Sequence, residues 1–150
     1  MSRGHKLLRL VRSPSELWLL WRMALWASVV PVLKRALPLP RVVRLLASTP
    51  RRRERDAPTE QRVIAAAARL YRSRFVVKDD NCLERSLVTY LYLTRVNAKP
   101  RLVVGMGKRP EVVGHVWVTV DGTPVHDDDE TLAGLTPVAE FGPDGERATG

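Results

Sequence analysis

Asn81-Cys82-Leu83-Glu84-Arg85-Ser86-Leu87 holds the only cysteine of this 150-residue chain, and its reading decides the fold. Asp79, Asp80 and Asn81 offer helix-capping side chains. Leu83, Leu87, Tyr90 or Leu91, and Thr94 then recur at helical spacing. The pattern predicts a helix over about Cys82 to Arg95, with Cys82 in the first turn. There the unpaired N–H groups and the positive end of the helix dipole favour a thiolate. Asp79 and Asp80 oppose it through like charge.

Downstream, Arg101 to Met106 reads as a strand, and so does Gly114 to Val120. In the second, Val116, Val118 and Val120 share one face, and His115, Trp117 and Thr119 share the other. Asp121-Gly122 signals a hairpin. The acidic run Asp127-Asp128-Asp129-Glu130 follows. Cys82, His115 and Asp127 therefore stand in the order of a thiol nucleophile, its base and the orienter of that base. The hairpin register decides which aspartate serves His115. A three-residue loop at 121–123 makes Asp127 the diagonal neighbour of His115, roughly 7–8 Å away. A two-residue loop pairs Val120 with Thr123 and sets Asp128 opposite His115, so Asp128 is the fallback. Each residue also has a plain structural reading. Cys82 could be a small buried apolar group, His115 a strand histidine satisfied by backbone, and the acidic run a solvated turn.

Upstream, a helix is expected from about Thr59 to Ser73, capped by Asp56 or Thr59, with Val63, Ala66, Ala67 and Leu70 on its inner side. Residues 48–57 are polar, charged and bracketed by prolines, as in a linker. Residues 1–47 form a basic, apolar extension. Leu17 to Leu33 is almost wholly apolar, contains Trp18, Trp21 and Trp26, and is interrupted by Arg22. It is short for a transmembrane span, and Arg22 is costly at its centre. No small-x-small cleavage site follows it. The prolines at 31, 38 and 40 suggest a pair of short helices instead, with an apolar surface that something must cover. Protein and an anionic membrane surface are both candidates.

Charge is unevenly placed. The whole chain carries +9. Residues 1–55 hold 13 Lys/Arg against Glu16 and Glu54, a net +11, and the remainder carries −2. The arginines lie among aliphatic residues without a nucleic-acid-binding motif, so no nucleic-acid partner is expected. One cysteine excludes an internal disulfide and suits a reducing compartment. With one Cys and three dispersed His, neither metal nor cofactor is expected. His5 has no evident role, and His126 points away from the His115 face.

These motifs resemble the transglutaminase-like leader peptidases of lasso-peptide biosynthesis. The family's Cys-Leu-x-Arg-Ser/Ala-Leu matches Cys82-Leu83-Glu84-Arg85-Ser86-Leu87. Its strand of small apolar residues and Gly matches Leu102-Val103-Val104-Gly105. Its His-Ala-Trp-Val matches His115-Val116-Trp117-Val118, and its final Val-Asn-Asp matches Val125-His126-Asp127. The resemblance covers about residues 58–130. It implies an α+β fold with a transglutaminase/papain-like cysteine protease core, helices packed on a small antiparallel sheet, and an N-terminal helical extension. It also implies a cytoplasmic peptidase acting on a ribosomally made precursor peptide, with catalytic Cys82, His115 and Asp127. A small leader-binding protein and an ATP-dependent macrolactam synthetase are the implied partners. Trp117, Arg85 and Asn81 are candidates for contact with substrate or partner, Trp117 as a wall and Asn81 as a weak oxyanion donor. A scaffold without catalysis and an acyltransferase with an amine acceptor share the same residues.

Overall fold

The computed structural model describes residues 13–72, 82–109 and 111–148. Helix α1 spans Pro14–Ala36. Ser13 caps it, accepting from the Glu16 N–H at 3.4 Å, and Pro14 occupies the first turn. The expected break at Pro31 does not occur: α1 runs through it. The lost hydrogen bond and the ring's clash with the preceding turn cost about 3 kcal/mol or more. Burying Met23 and Val30 completely on the same helix stabilises by about 1.5–3 kcal/mol each, which offsets a cost of that size. The chain turns instead at Leu37, whose backbone is extended ahead of Pro38. Helix α2 (Leu39–Ala47) follows, burying Val42, Val43, Leu46 and Ala47.

Residues 48–57 are tied down. The N–H groups of Arg52 and Asp56 donate to the carbonyls of Arg95 and Val96 at 2.9 and 3.1 Å. Arg55 donates to Glu60 at 2.8 and 3.0 Å and to Asp121 at 2.7 Å. Helix α3 (Ala57–Arg72) is capped by Asp56, which accepts from the Thr59 N–H and hydroxyl. Helix α4 (Cys82–Arg95) has the predicted bounds; the Asp79–Asn81 cap expected before it lies outside the described residues. It is the central helix: Ser86 to Thr94 are all buried, with α1, α2 and α3 around it and the sheet beside it.

The sheet has four antiparallel strands, β1 (Arg101–Arg109), β2 (Glu111–Val120), β3 (Thr123–Pro124) and β4 (Thr136–Phe141), in the order β3-β2-β1-β4. A single turn of helix, α5 (Asp129–Leu132), precedes β4. Leu102, Val104, Val116, Val118, Val120, Ala139 and Phe141 turn one face toward the helices, and with Met23, Val30, Val42 and Leu46 they form one core. Residues 14–47 thus contribute to the same core as residues 57–141. The fold is α+β, helices on a four-stranded antiparallel sheet, as expected of a transglutaminase-like core.

Candidate active site

The hairpin has the two-residue register, with Val120 opposite Thr123 and Thr119 opposite Pro124. Asp121 and Gly122 both have positive φ, 51° and 78°, as a type I′ turn requires. This register corrects the three-residue loop that favoured Asp127, yet Asp127 still reaches His115. The reason is that β3 is only two residues long. After the Val125 N–H donates to the Val118 carbonyl, the chain leaves the ladder, so pairing does not dictate where residue 127 falls. Asp128, the fallback, is used elsewhere. Its carboxylate caps α5, accepting from the Thr131 N–H at 2.8 Å.

His115 Nε2 donates to Asp127 Oδ1 at 3.0 Å. A carboxylate only accepts, so Nε2 carries the proton and Nδ1 is left as the acceptor. The Asp127 side chain is 6% exposed, and the same Oδ1 accepts from Arg85 Nη2 at 2.9 Å. One oxygen therefore receives a base from a strand and a cation from the helix that begins at Cys82.

Arg85 belongs to a stripe of α4 side chains at spacings of one to four residues: Cys82, Arg85, Ser86 and Thr89. Ser86 Oγ donates to the Val116 carbonyl at 2.9 Å. Thr89 Oγ1 lies 3.3 Å from His126 Nε2. Three successive side chains thus fix the helix against β2 and the segment after β3, and the residue next to His115 is itself one of the anchors. Cys82 is the next position up the stripe, one turn before Ser86. It is a free, half-buried thiol that packs on the margin of the core. Among the described residues no hydrogen bond joins it to His115.

The ring of His115 is also held by packing. Trp117 stacks on it, centroids 6.0 Å apart and planes 20° from parallel. The indole is buried, so at this position it supports the imidazole. It reaches over Gly105, which pairs with His115 across the strands. A Cβ at residue 105 would lie 2.6 Å from Trp117 Cζ3, so only glycine leaves room for the indole. His126, on the other side of the hairpin, is held neutral. Burial pushes its pKa down to about 4 and the Arg85 charge adds to this, with Asp127 opposing.

The structure thus brings His115, Asp127, Arg85 and Trp117 together and sets Cys82 on the helix face that meets them. Asn81 lies outside the described residues. Two roles escaped the sequence reading. Arg85 pairs with Asp127, for which its place three residues after Cys82 was the available signal. Gly105 makes room for Trp117, and it was visible as a lone glycine in a strand, which marks a close approach. A cleft of about 200 Å³ between α1 and α3, lined by Leu19, Leu20, Ala65 and Ala66 among others, contains none of the candidate residues.

Residues 22–140 match the sequence profile of the transglutaminase-like superfamily. The match covers well over half of the chain, which therefore belongs to that superfamily; its members are usually cysteine hydrolases or acyltransferases. It begins inside α1 and ends inside β4. Comparison with curated proteins and with solved structures gave no significant match.

Proposed function

We propose that this member of the transglutaminase-like superfamily is a cysteine peptidase, and that its substrate is the leader–core junction of a lasso-type precursor peptide. The observation that carries the chemistry is the 3.0 Å bond from His115 Nε2 to a nearly water-free Asp127, opposite the stripe of α4 that begins with Cys82. The substrate class rests on the resemblance of Cys82-Leu83-Glu84-Arg85-Ser86-Leu87 and His115-Val116-Trp117-Val118 to the leader peptidases. On the same ground the enzyme works in the cytoplasm with a small leader-binding protein, and a macrolactam synthetase acts on the product.

In this mechanism Cys82 attacks the junction carbonyl as a thiolate. The proton goes to His115 Nδ1, because Nε2 is committed to Asp127. Collapse of the tetrahedral intermediate breaks the C–N bond, and His115 returns the proton to the departing core amine. Water then attacks the thioester, giving up a proton to Nδ1; the C–S bond breaks, the leader leaves as the free acid, and the proton on Nδ1 returns to the Cys82 sulfur. Asp127 holds the tautomer and stabilises the imidazolium. The Cys82 backbone N–H is the natural oxyanion donor.

The test is mass spectrometry of a lasso-type precursor incubated with the protein and its leader-binding partner, wild type against Cys82→Ala. Wild type should release leader and core with one added water, and Cys82→Ala should lose at least about 10³-fold in rate. An amine adduct in place of hydrolysis would reassign the protein as an acyltransferase. Equal cleavage by both proteins removes Cys82 from the chemistry. Partner binding without cleavage by either makes it a scaffold.

A further inference from the structure

Helix α1 turns an apolar stripe to the outside. Leu17, Trp18, Trp21, Leu25, Val29 and Val32 are 43–63% exposed. At 100° per residue, Trp18, Trp21, Leu25, Val29 and Val32 fall within about 80° of arc, and the stripe runs for roughly 21 Å. Trp18 and Trp21 stack at its amino end with centroids 5.0 Å apart. Arg22 and Arg35, both exposed, lie on opposite margins of the stripe by the same angular reckoning. The acid of α1, Glu16, is turned toward Arg69 on α3, 3.8 Å away. The outward face therefore has an apolar centre, cationic margins and no acid.

That arrangement selects the occupant. A second copy of the chain would bring four arginines to one seam, two from each copy, with no acid on either face to pair them. An anionic bilayer instead offers phosphate headgroups to both arginines and an acyl boundary to the stripe, with indoles at the interfacial level. Net charge favours the same choice, since residues 1–55 carry +11. By length and composition α1 could also cross a membrane. Its inner side argues against that. Met23 and Val30 are fully buried in the core, Lys34 pairs with Glu84 at 2.7 Å, and the Arg95 guanidinium lies 5.5 Å from the Trp26 ring. A span would strip all of these away.

We infer that the outer face of α1 docks on an anionic lipid surface, lying in the interface without spanning it. This stands apart from the proposed peptidase activity and survives its failure. The helix runs antiparallel to α4, since Trp26 meets Arg95 and Lys34 meets Glu84. Docking therefore holds the Cys82 end of α4 beside the carboxyl end of the stripe.

The full chain should co-sediment with phosphatidylglycerol vesicles and not with phosphatidylcholine vesicles, with a blue shift of tryptophan emission and release by high salt. Trp18→Ser/Trp21→Ser should abolish the shift and lower the partition coefficient by at least about tenfold. Arg22→Gln/Arg35→Gln should lower partitioning roughly 10–30-fold while leaving far-ultraviolet dichroism unchanged. Equal partition onto both lipids, or onto neither, overturns the inference. So does retention after alkaline extraction, which means a span, and so does self-association that Trp18→Ser/Trp21→Ser dissolves, which means a dimer face.

Discussion

Helices α4 and α1 are both mainly apolar, yet they end in opposite situations. Every residue of α4 from Ser86 to Thr94 is buried, and three of its polar side chains are hydrogen-bonded, Ser86 to β2, Thr89 to His126 and Thr94 Oγ1 to the Tyr90 carbonyl at 2.8 Å, while the buried Tyr92 hydroxyl has no hydrogen-bond partner among the described residues. Helix α1 fully buries Met23 and Val30 and leaves two tryptophans exposed. The difference lies in neighbours. α4 has helices around it and the middle strands β2 and β1 beside it; α1 has α2, α3 and α4 on its inner side. Apolar composition decides that a helix is covered somewhere. The elements around it decide which part, and polar side chains then fix its register.

If the α4 bonds set the site, the largest effect outside Cys82, His115 and Asp127 should come from Arg85. Arg85→Gln removes the cation from Asp127 Oδ1 and frees that carboxylate to swing from His115. We expect kcat to fall about 10–100-fold with KM nearly constant, and Arg85→Lys to restore part of it, since a lysine keeps charge without the fork. A rise in KM alone would make Arg85 a substrate contact and detach it from the geometry of His115.

Next in size is Gly105→Ala. The added methyl meets Trp117 at 2.6 and 2.7 Å, so the indole must move, and the stacked His115 moves with it. Overpacking of this kind costs about 1–3 kcal/mol, and activity should fall further than stability accounts for. Activity at the wild-type level in a destabilised variant would show that the Trp117 stack does not orient His115.

His126 gives the next smaller effect. Its pKa is near 4 in the folded chain against 6.5 for the free side chain. The unfolded chain binds the proton more tightly, so this group's contribution is complete above pH 6.5 and is lost as pH falls from 6.5 to 4. About 2 kcal/mol should disappear over that window, allowing for the water that reaches the ring. Urea titrations at steps of pH test this, and His126→Phe should flatten the curve there. An unchanged slope in His126→Phe would show that the burial of this ring beside Thr89 contributes nothing to the pH response.

The α4 helix, both long strands and the hairpin were legible because their periodicity is strong and their neighbours agree with it. Cys82 in the first turn of its helix followed from the run of leucines behind it. Four things were not legible. The hairpin register depended on whether β3 continues, and it stops after Pro124, so Asp127 reaches His115 from irregular backbone that no alternation rule describes. Pro31 looked like a breaker, but burial of Met23 and Val30 on the same helix outweighs its lost bond. Residues 48–57 looked like a loose linker because their partners, Arg95, Val96 and Asp121, are distant in sequence. β4 carried too weak a pattern: Thr136, Pro137, Val138 and Ala139 do not alternate as a half-buried strand does.

The smallest expected effect is also the sharpest test of the contrast. Val32 lies two residues from Val30 on α1; it is 63% exposed, whereas Val30 is fully buried. Val32→Ser keeps a residue of similar helix propensity and removes apolar surface that already meets water, so stability should change by no more than about 0.5 kcal/mol. Met23→Ala on the inner side of the same helix should cost about 2–5 kcal/mol, because it leaves a cavity among α2, α3 and α4. The two values, taken from denaturant curves of the full chain without lipid, measure how one-sided α1 is. A loss above about 1.5 kcal/mol in Val32→Ser would mean that the folded chain itself covers the outer stripe. The contrast with α4 would then disappear, and the lipid surface would have no open face to meet.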